Sequence, residues 1–102
     1  MREPMELTGK QKRALRALAH HLKPVVTIGK QGVADGLLEQ VEHNLLAAEL
    51  VKVKVLNTCP QPLAQIATAL AGSTGARVAQ TIGRTLVLYR PHPEAPAIRL
   101  PP

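Results

Sequence analysis

The feature that most restricts the fold is a short segment of strict alternation in the middle of the chain. Residues 50–56 read LVKVKVL, so that valines occupy every second position and Lys52 and Lys54 lie between them. Because successive side chains of a β-strand point to opposite faces, the segment predicts a strand with its valines in a core and its two lysines facing water. Such a strand needs other elements to cover its apolar face.

Two segments before this strand have apolar residues at helical spacing. The first begins with a capping box, Thr8-Gly9-Lys10-Gln11, and ends before Pro24, because the residue preceding a proline is pushed out of helical conformation. Its predicted buried stripe is Ala14, Leu15, Leu18 and Leu22. The second helix covers residues 34–48 and is amphipathic. Its predicted solvent-facing acidic residues are Asp35, Glu39, Glu42 and Glu49.

A further helix and a further strand complete the first two thirds of the chain. The β-branched run Val25–Ile28 predicts a short strand that stops at a glycine loop. A second capping-box candidate at Thr58–Gln61 predicts a third helix, which closes at Gly72 or Gly75.

A β-hairpin is predicted near the C-terminal end. Strands Arg77–Ile82 and Thr85–Arg90 are joined by Gly83-Arg84, and glycine at the first central position favours a type II′ turn. Counting outwards from the turn gives an unbroken ladder that ends with Arg77 opposite Arg90. The two arginines would then lie side by side on one face of the sheet.

The predicted order of elements is α-β-α-β-α-β-β. Right-handed crossovers between successive strands make part of the sheet parallel, so the fold class is α/β with a mixed four-stranded sheet. A chain of 102 residues has the usual size of one domain, which we expect to span residues 1–102. Residues 91–102 hold five of the nine prolines and are predicted to form an extended tail without helix.

Charge is segregated along the sequence. Residues 1–30 carry seven basic and two acidic side chains, residues 31–50 carry four acidic and no basic ones, and residues 51–102 carry six basic and one acidic. The net charge of +6 makes nucleic acid the first candidate partner and an anionic membrane surface the second. The chain has no Trp or Phe and one Tyr, so stacking of bases on aromatic rings is nearly excluded.

The glycine loop Gly29-Lys30-Gln31-Gly32 is the first candidate binding site. It joins a predicted strand to the start of a helix, where backbone N–H groups and the helix dipole favour an anion. Glycines at both ends allow close approach of a phosphate backbone, and Lys30 adds a mobile charge. This is the physical logic of the GXXG loop that clamps nucleotides in KH modules, although an ordinary loop would have the same pattern.

Further basic residues extend the candidate surface. The first helix and the segment after it present basic side chains with no acidic residue among them: Lys12, Arg13, Arg16, His20 and Lys23. A helix face built only for stability would gain from interleaved glutamates, so phosphate contact is the favoured interpretation. The remaining candidates, which a solvated sheet face would explain equally well, are Lys52, Lys54, Arg77 and Arg90.

The sequence offers few side chains that could form a catalytic site. Its only Asp is Asp35, and it has no P-loop, no dinucleotide fingerprint and no obvious catalytic triad. A lone Cys59 makes no internal disulfide, and no histidine or cysteine pair has metal-ligand spacing. We therefore expect no enzyme, cofactor, metal or small-molecule substrate. With no apolar run of 18 residues and no signal-peptide pattern, a cytoplasmic monomer is expected.

Four segments in register closely resemble the bacterial YhbY family, also called the CRM domain. They are Leu7–Lys12, Leu22–Val26, Ile28–Gly32 and Ile82–Arg90, within a match from about residue 5 to residue 102. The resemblance implies an RNA-binding domain similar in fold to the C-terminal domain of translation initiation factor three. It also implies that this chain is the stand-alone bacterial form, which associates with precursors of the large ribosomal subunit, whereas multi-domain plant relatives assist intron splicing. The family's glycine loop falls on residues 29–32.

Two other functions stay open at this stage. One is a non-catalytic adaptor that binds proteins on ribosomal or other ribonucleoprotein particles, which would expose a large apolar patch. The other is a membrane-surface binder, although the apolar face of the first helix is expected to pack on the core and so would not be free to enter a membrane. An RNA-binding assembly factor remains the favoured prediction. Its binding should weaken steeply with salt, unlike an apolar protein interface.

Overall fold

The computed structural model describes residues 6–102, which contain three helices and four strands. In chain order they are α1 (Gly9–Ala19), β1 (Val26–Ile28), α2 (Asp35–Ala48), β2 (Leu50–Val55), α3 (Leu63–Thr74), β3 (Arg77–Ile82) and β4 (Thr85–Tyr89). The predicted order and the α/β fold class are confirmed. Residues 91–102 contain neither helix nor strand, as their prolines predict. Within the described part, no helix combines the length and apolarity needed to cross a membrane.

The four strands form one mixed sheet in the order β1-β2-β4-β3. β1 pairs with β2 in parallel, and β4 is antiparallel to both β2 and β3. The parallel part is therefore limited to β1 and β2, because β4 lies between β2 and β3. The connection from β2 to β3 passes over one strand position of the sheet. That position is occupied by β4, the hairpin partner of β3.

The sheet separates two apolar cores. On one face, Val41 and Leu45 of α2 and Ile66 and Leu70 of α3 pack on the buried side chains of the strands. The valines of β2 lie in this core, as the alternation predicts. Burial of these fully covered aliphatic side chains contributes roughly 1.5–3 kcal/mol each to folding.

The other face of the sheet is covered by α1. Leu15 and Ala19 pack there on Leu50, Val87 and Tyr89. The predicted helix stripe is correct for Leu15 but wrong further on, since Leu18 is 48% exposed and Leu22 is 38% exposed. The last turn of α1 faces the sheet through Ala19, so Leu18 lies outside this contact, and Leu22 lies after the end of the helix.

The start of α1 agrees with the sequence and the start of α3 does not. Thr8 and Gln11 form the predicted reciprocal capping box, with the Gln11 N–H donating to the Thr8 hydroxyl at 3.1 Å. The predicted box at residues 58–61 is absent, and α3 begins at Leu63 after Pro62. Prolines at positions 60 and 62 keep the preceding backbone extended, which delays the helix.

The hairpin contains a β-bulge that the sequence did not predict. Gly83 has the positive φ of 56° that the predicted turn requires, and Ile82 pairs with Thr85. The register then shifts between Val78 and Gln80, and Ala79 is the extra residue. Consequently Arg77 lies opposite Tyr89, and the predicted pairing of Arg77 with Arg90 is wrong.

Glu49 was predicted on a solvated helix face, but it is 3% exposed. It follows α2 as the C-cap with a φ of 69°, a left-handed conformation that is rare outside glycine. One carboxylate oxygen accepts hydrogen bonds from the N–H groups of Ala97 (3.0 Å) and Ile98 (2.8 Å), and the other accepts from the His92 N–H at 2.6 Å. The C-terminal segment is thereby fixed to the sheet, and Ile98 and Leu100 join the core beneath α1.

Candidate nucleic-acid interface

Six predicted basic residues lie in one layer of the molecule, on the α1 side of the sheet. Leu50 is buried beneath α1, and strand alternation places Lys52 and Lys54 on the same face of β2. We call the set the basic face; it consists of Lys12, Arg13 and Arg16 on α1, Lys23 after it, and Lys52 and Lys54 on β2. All but Lys52, which is half-buried, are exposed.

A cleft of about 320 Å³ opens between the last turns of α1 and the sheet. Arg16 and His20 line it from the helix side, and Lys52 and Gln80 line it from the strands. The Lys52 ammonium donates a hydrogen bond to the Leu22 carbonyl at 3.1 Å, which holds the segment after α1 against β2. Cationic groups from two elements thus converge on a concave surface, a shape that can receive a phosphate or a sugar edge.

The glycine loop follows β1 directly and forms a tight turn. The Gly32 N–H donates to the Gly29 carbonyl at 2.9 Å, and the Val33 N–H donates to the Gln61 side-chain oxygen at 3.2 Å. Lys30 and Gln31 are exposed at the tip of the turn. The sequence predicted that the loop leads directly into the second helix. In the structure, residues 33 and 34 separate the loop from the start of α2.

The two glycines of the loop have different structural roles. Gly32 is buried with a φ of +65°, and a Cβ there would lie 2.5 Å from the Gln61 side-chain oxygen. Gly29 has no positive φ, and a Cβ there would meet Leu56 at 3.4 Å, an ordinary contact. The fold therefore requires glycine at position 32 and tolerates a small side chain at position 29.

Arg84 is a candidate residue that sequence reasoning assigned only to a turn. Its Nε donates to the Val55 carbonyl at 2.9 Å and its Nη2 to the Leu56 carbonyl at 3.0 Å. The Leu56 N–H in turn donates to the Ile28 carbonyl at 2.8 Å, immediately before the glycine loop. Arg84 consequently links the hairpin turn to the strand ends that carry the loop. The sequence feature that could have identified Arg84 is its position in Ile82–Arg90, one of the four segments that resemble the CRM family.

Arg90 is separated from the basic face. Its guanidinium makes a bidentate ion pair with Glu42 of α2, with nitrogen–oxygen distances of 2.8 and 2.7 Å, and also donates to the Thr74 carbonyl. The hydrogen bond from Arg90 holds the pKa of Glu42 below its ordinary value. Arg77 lies on the α1 side instead, where it lines a shallow cleft with Lys12.

Two acidic residues of α2, Glu39 and Glu42, lie in the opposite layer. Glu39 is exposed there, and Glu42 neutralises Arg90. The basic face and the carboxylates of Glu39 and Glu42 thus lie on opposite sides of the sheet. A polyanion that docks on the basic face is separated from these two carboxylates by the sheet.

Comparison with known proteins shows which family the chain belongs to. The sequence profile of the CRS1 / YhbY (CRM) domain matches residues 7–90. The chain belongs to this family. Similar proteins include YqeI of Bacillus subtilis, named a probable RNA-binding protein, with 46% identity over 93% of this chain and 99% of the relative. A Haemophilus influenzae protein named RNA-binding protein is also 46% identical, over 93% of this chain and 95% of its own length.

A solved structure of a similar protein has the same fold. The solution structure of SAV1595 from Staphylococcus aureus superposes with a TM-score of 0.78 at 40% sequence identity, and covers 94% of this chain and all of the other. The residues that match the CRM profile run from α1 to β4 and so include the basic face and the glycine loop. The C-terminal segment held by Glu49 lies beyond them.

Proposed function

We propose that this chain is a cytoplasmic, monomeric RNA-binding protein that acts as one domain and associates with ribosomal RNA in precursors of the large ribosomal subunit. The proposed contacts are phosphates, held by the basic face and by the glycine loop at residues 29–32. The activity is binding without catalysis, and the biological role is that of an assembly factor.

The observation that carries the proposal is the sorting of charge by the sheet. Exposed cations from α1, the following segment and β2 share one side, while Glu39 and Glu42 lie on the other. Phosphate neutralisation by several lysines and arginines releases counterions and supplies most of the affinity of a basic protein for nucleic acid. Two similar proteins are named RNA-binding or probable RNA-binding proteins, which supports RNA as the polyanion.

The mode of recognition follows from the lack of exposed aromatic residues. Tyr89, the one aromatic residue of the chain, is 6% exposed and packs beneath α1. Bases consequently have no Phe, Trp or exposed Tyr ring to stack on, and we expect shape and phosphate positions to outweigh base identity.

The basic face is tested by the salt dependence of binding. The double variant Lys12→Gln with Arg16→Gln should lower the slope of log affinity against log salt by roughly two, measured on a structured fragment of large-subunit ribosomal RNA. Glu39→Gln, on the opposite layer, is the control and should leave the slope unchanged. An unchanged slope in the double variant would remove α1 from the interface.

The glycine loop is tested separately. Lys30→Ala should reduce the salt slope by roughly one. Gly29→Asp should abolish most binding, because it places a carboxylate where a phosphate would approach, whereas Gly29→Ala should bind nearly as well as the wild type. Thermal melts confirm that the variants are folded. If Gly29→Asp and Gly29→Ala bind equally well, the loop is not part of the site.

The ribosomal assignment is tested in cells. Crosslinking followed by sequencing of the bound RNA should recover large-subunit precursor RNA, and a tagged protein should sediment with large-subunit precursors in a gradient. Recovery of mainly messenger RNA, or sedimentation only as free protein, would contradict the assembly role while leaving RNA binding intact.

A further inference from the structure

One row of side chains on the α1 side of the sheet is covered by none of the helices within residues 6–102. Thr27 lies opposite Lys54, Lys54 lies opposite Thr85, and Thr85 lies opposite Ile82. We call these four residues the open row. Neighbouring strands are about 4.8 Å apart, so the row crosses all four strands over roughly 14 Å.

The row is open because α1 stops short of it. The helix covers the sheet through Leu15 and Ala19, which pack on Leu50 and Val87, and it ends there. Thr27 and Lys54 are exposed, Thr85 is half-buried, and Ile82 is 51% exposed. A β-branched apolar side chain thus stands in water beside two hydroxyls and an ammonium group.

The polar groups of the row have no partner among the described residues. Among residues 6–102, neither the Thr27 hydroxyl, the Thr85 hydroxyl nor the Lys54 ammonium makes a hydrogen bond or an ion pair. Lys52, two residues earlier on the same strand face, differs in donating to the Leu22 carbonyl. The open row therefore presents donors and acceptors that are available to a ligand.

The row also connects the two candidate sites. Thr27 lies two residues before Gly29, at the end of β1 that carries the glycine loop. At the other end, Ile82 lines the cleft together with Arg16 and His20. A strand of nucleic acid that touches both the loop and the cleft must cross the open row.

We propose that the open row holds the sugar–phosphate backbone of an RNA strand, with Lys54 contacting a phosphate and the threonine hydroxyls pairing with ribose 2′-hydroxyls. The proposal rests on the RNA binding proposed above and adds to it a physical basis for selecting RNA over DNA. A hydroxyl is both donor and acceptor, and the 2′-hydroxyl is the group by which a protein distinguishes RNA from DNA at a given site.

Charge favours RNA over a protein as the occupant of the row. Lys54 lies within the row, and Arg16 and Lys52 line the adjoining cleft. A protein that docked on this exposed isoleucine would have to be acidic to accept those cations, whereas RNA supplies phosphates at every nucleotide. The apolar side chain of Ile82 fits the face of a sugar or base.

The test uses substitutions that preserve shape. Thr85→Val and Thr27→Val each remove a hydroxyl from a β-branched side chain, and Thr81→Val is the matched control, because Thr81 lies opposite the buried Leu86 and so on the other face of the sheet. Affinity is measured for a structured ribosomal RNA fragment and for the same sequence with 2′-deoxyriboses. Each row variant should lose roughly three- to tenfold on RNA, the usual value of one hydrogen bond, and little on the deoxy probe.

Lys54→Ala provides the second comparison. It should weaken binding to both probes and lower the salt slope by roughly one, whereas the threonine variants should leave the slope unchanged. The methyl signals of Thr27, Thr85 and Ile82 should shift in nuclear magnetic resonance spectra when RNA is added.

Three outcomes would overturn the inference without affecting the proposed RNA binding. The first is wild-type RNA affinity in both threonine variants, and the second is an equal loss on the RNA and deoxy probes. The third is RNA binding that leaves the methyl signals of the row unshifted, which would leave a protein or no ligand as the occupant. A wild-type chain that binds neither probe would instead contradict the proposed function itself.

Discussion

The buried carboxylate of Glu49 gives the sharpest prediction for stability. Its two oxygens accept three backbone N–H groups, from His92 on one oxygen and from Ala97 and Ile98 on the other. Glu49→Gln preserves the size of the side chain but replaces one oxygen with an NH₂ group. In either orientation of the amide, a donor then faces at least one backbone N–H, which leaves that group unpaired.

The expected magnitude follows from this count of contacts. A hydrogen bond to a charged group contributes about 1.5–3 kcal/mol, so the substitution should lower the free energy of unfolding by about 2 kcal/mol. For a chain of this length that corresponds to a fall in Tm of roughly 8–16 °C. Urea unfolding measures the free energy, and hydrogen exchange at the amides of residues 97 and 98 shows whether the C-terminal segment has been released.

Two further variants separate the side chain from the backbone. Glu49→Gly removes the carboxylate but also relieves the left-handed conformation at a φ of 69°, worth about 1–2 kcal/mol, which partly offsets the lost hydrogen bonds. Glu94→Gln, an exposed carboxylate in the same C-terminal segment, should change stability by less than about 0.5 kcal/mol. Wild-type stability and unchanged exchange at residues 97 and 98 in Glu49→Gln would refute the reasoning.

Other predictions concern pH, the two glycines of the glycine loop and Arg84. Burial raises the pKa of Glu49, but the three N–H groups and His92 outweigh burial, so the net pKa is lowered. The carboxylate therefore stabilises the fold fully above its ordinary pKa of 4.5, and this stabilisation is lost as pH falls through the lower pKa of the folded state. The difference in stability between wild type and Glu49→Gln should accordingly shrink on acid titration below pH 4.5. Gly32→Ala should destabilise by about 2 kcal/mol in urea, because alanine resists the φ of +65° and displaces the Gln61 oxygen from its hydrogen bond, whereas Gly29→Ala should be nearly neutral. Arg84→Lys retains the charge but loses a guanidinium that reaches two carbonyls, and should cost about 1 kcal/mol in the same assay.

Elements specified by nearby residues could be predicted from the sequence. The capping box at Thr8 depends on two side chains three residues apart, and the alternation of β2 fixes which of its residues share a face. The same alternation placed Lys52 and Lys54 together. It did not reveal which helix covers that face, since this depends on how α1 returns across the sheet.

The errors arose where distant residues decide the structure. Glu49 lies in an acidic segment that reads as a solvated helix face, and only the returning C-terminal segment, more than 40 residues later, makes it a buried acceptor. The ladder of the hairpin could be counted without a gap, and packing of Ala79 beneath α1 selects the bulge instead. The ion pair of Arg90 could not be inferred from the sequence either, because its partner Glu42 lies 48 positions away.

The bulge in β3 also has an evolutionary consequence. Because of the extra residue at Ala79, Arg77 lies opposite Tyr89 on the α1 side, next to Lys12, while Arg90 points to α2 and its glutamate. Loss of Ala79 would leave Val78 opposite Leu88 and Arg77 opposite Tyr89, so the arginine would stay on the α1 side. A strand that kept Ala79 but paired without the bulge would instead place Arg77 opposite Arg90, on the α2 side. A gap of one residue at position 79, in an alignment of relatives, therefore marks loss of the bulge and leaves this positive charge on the binding surface.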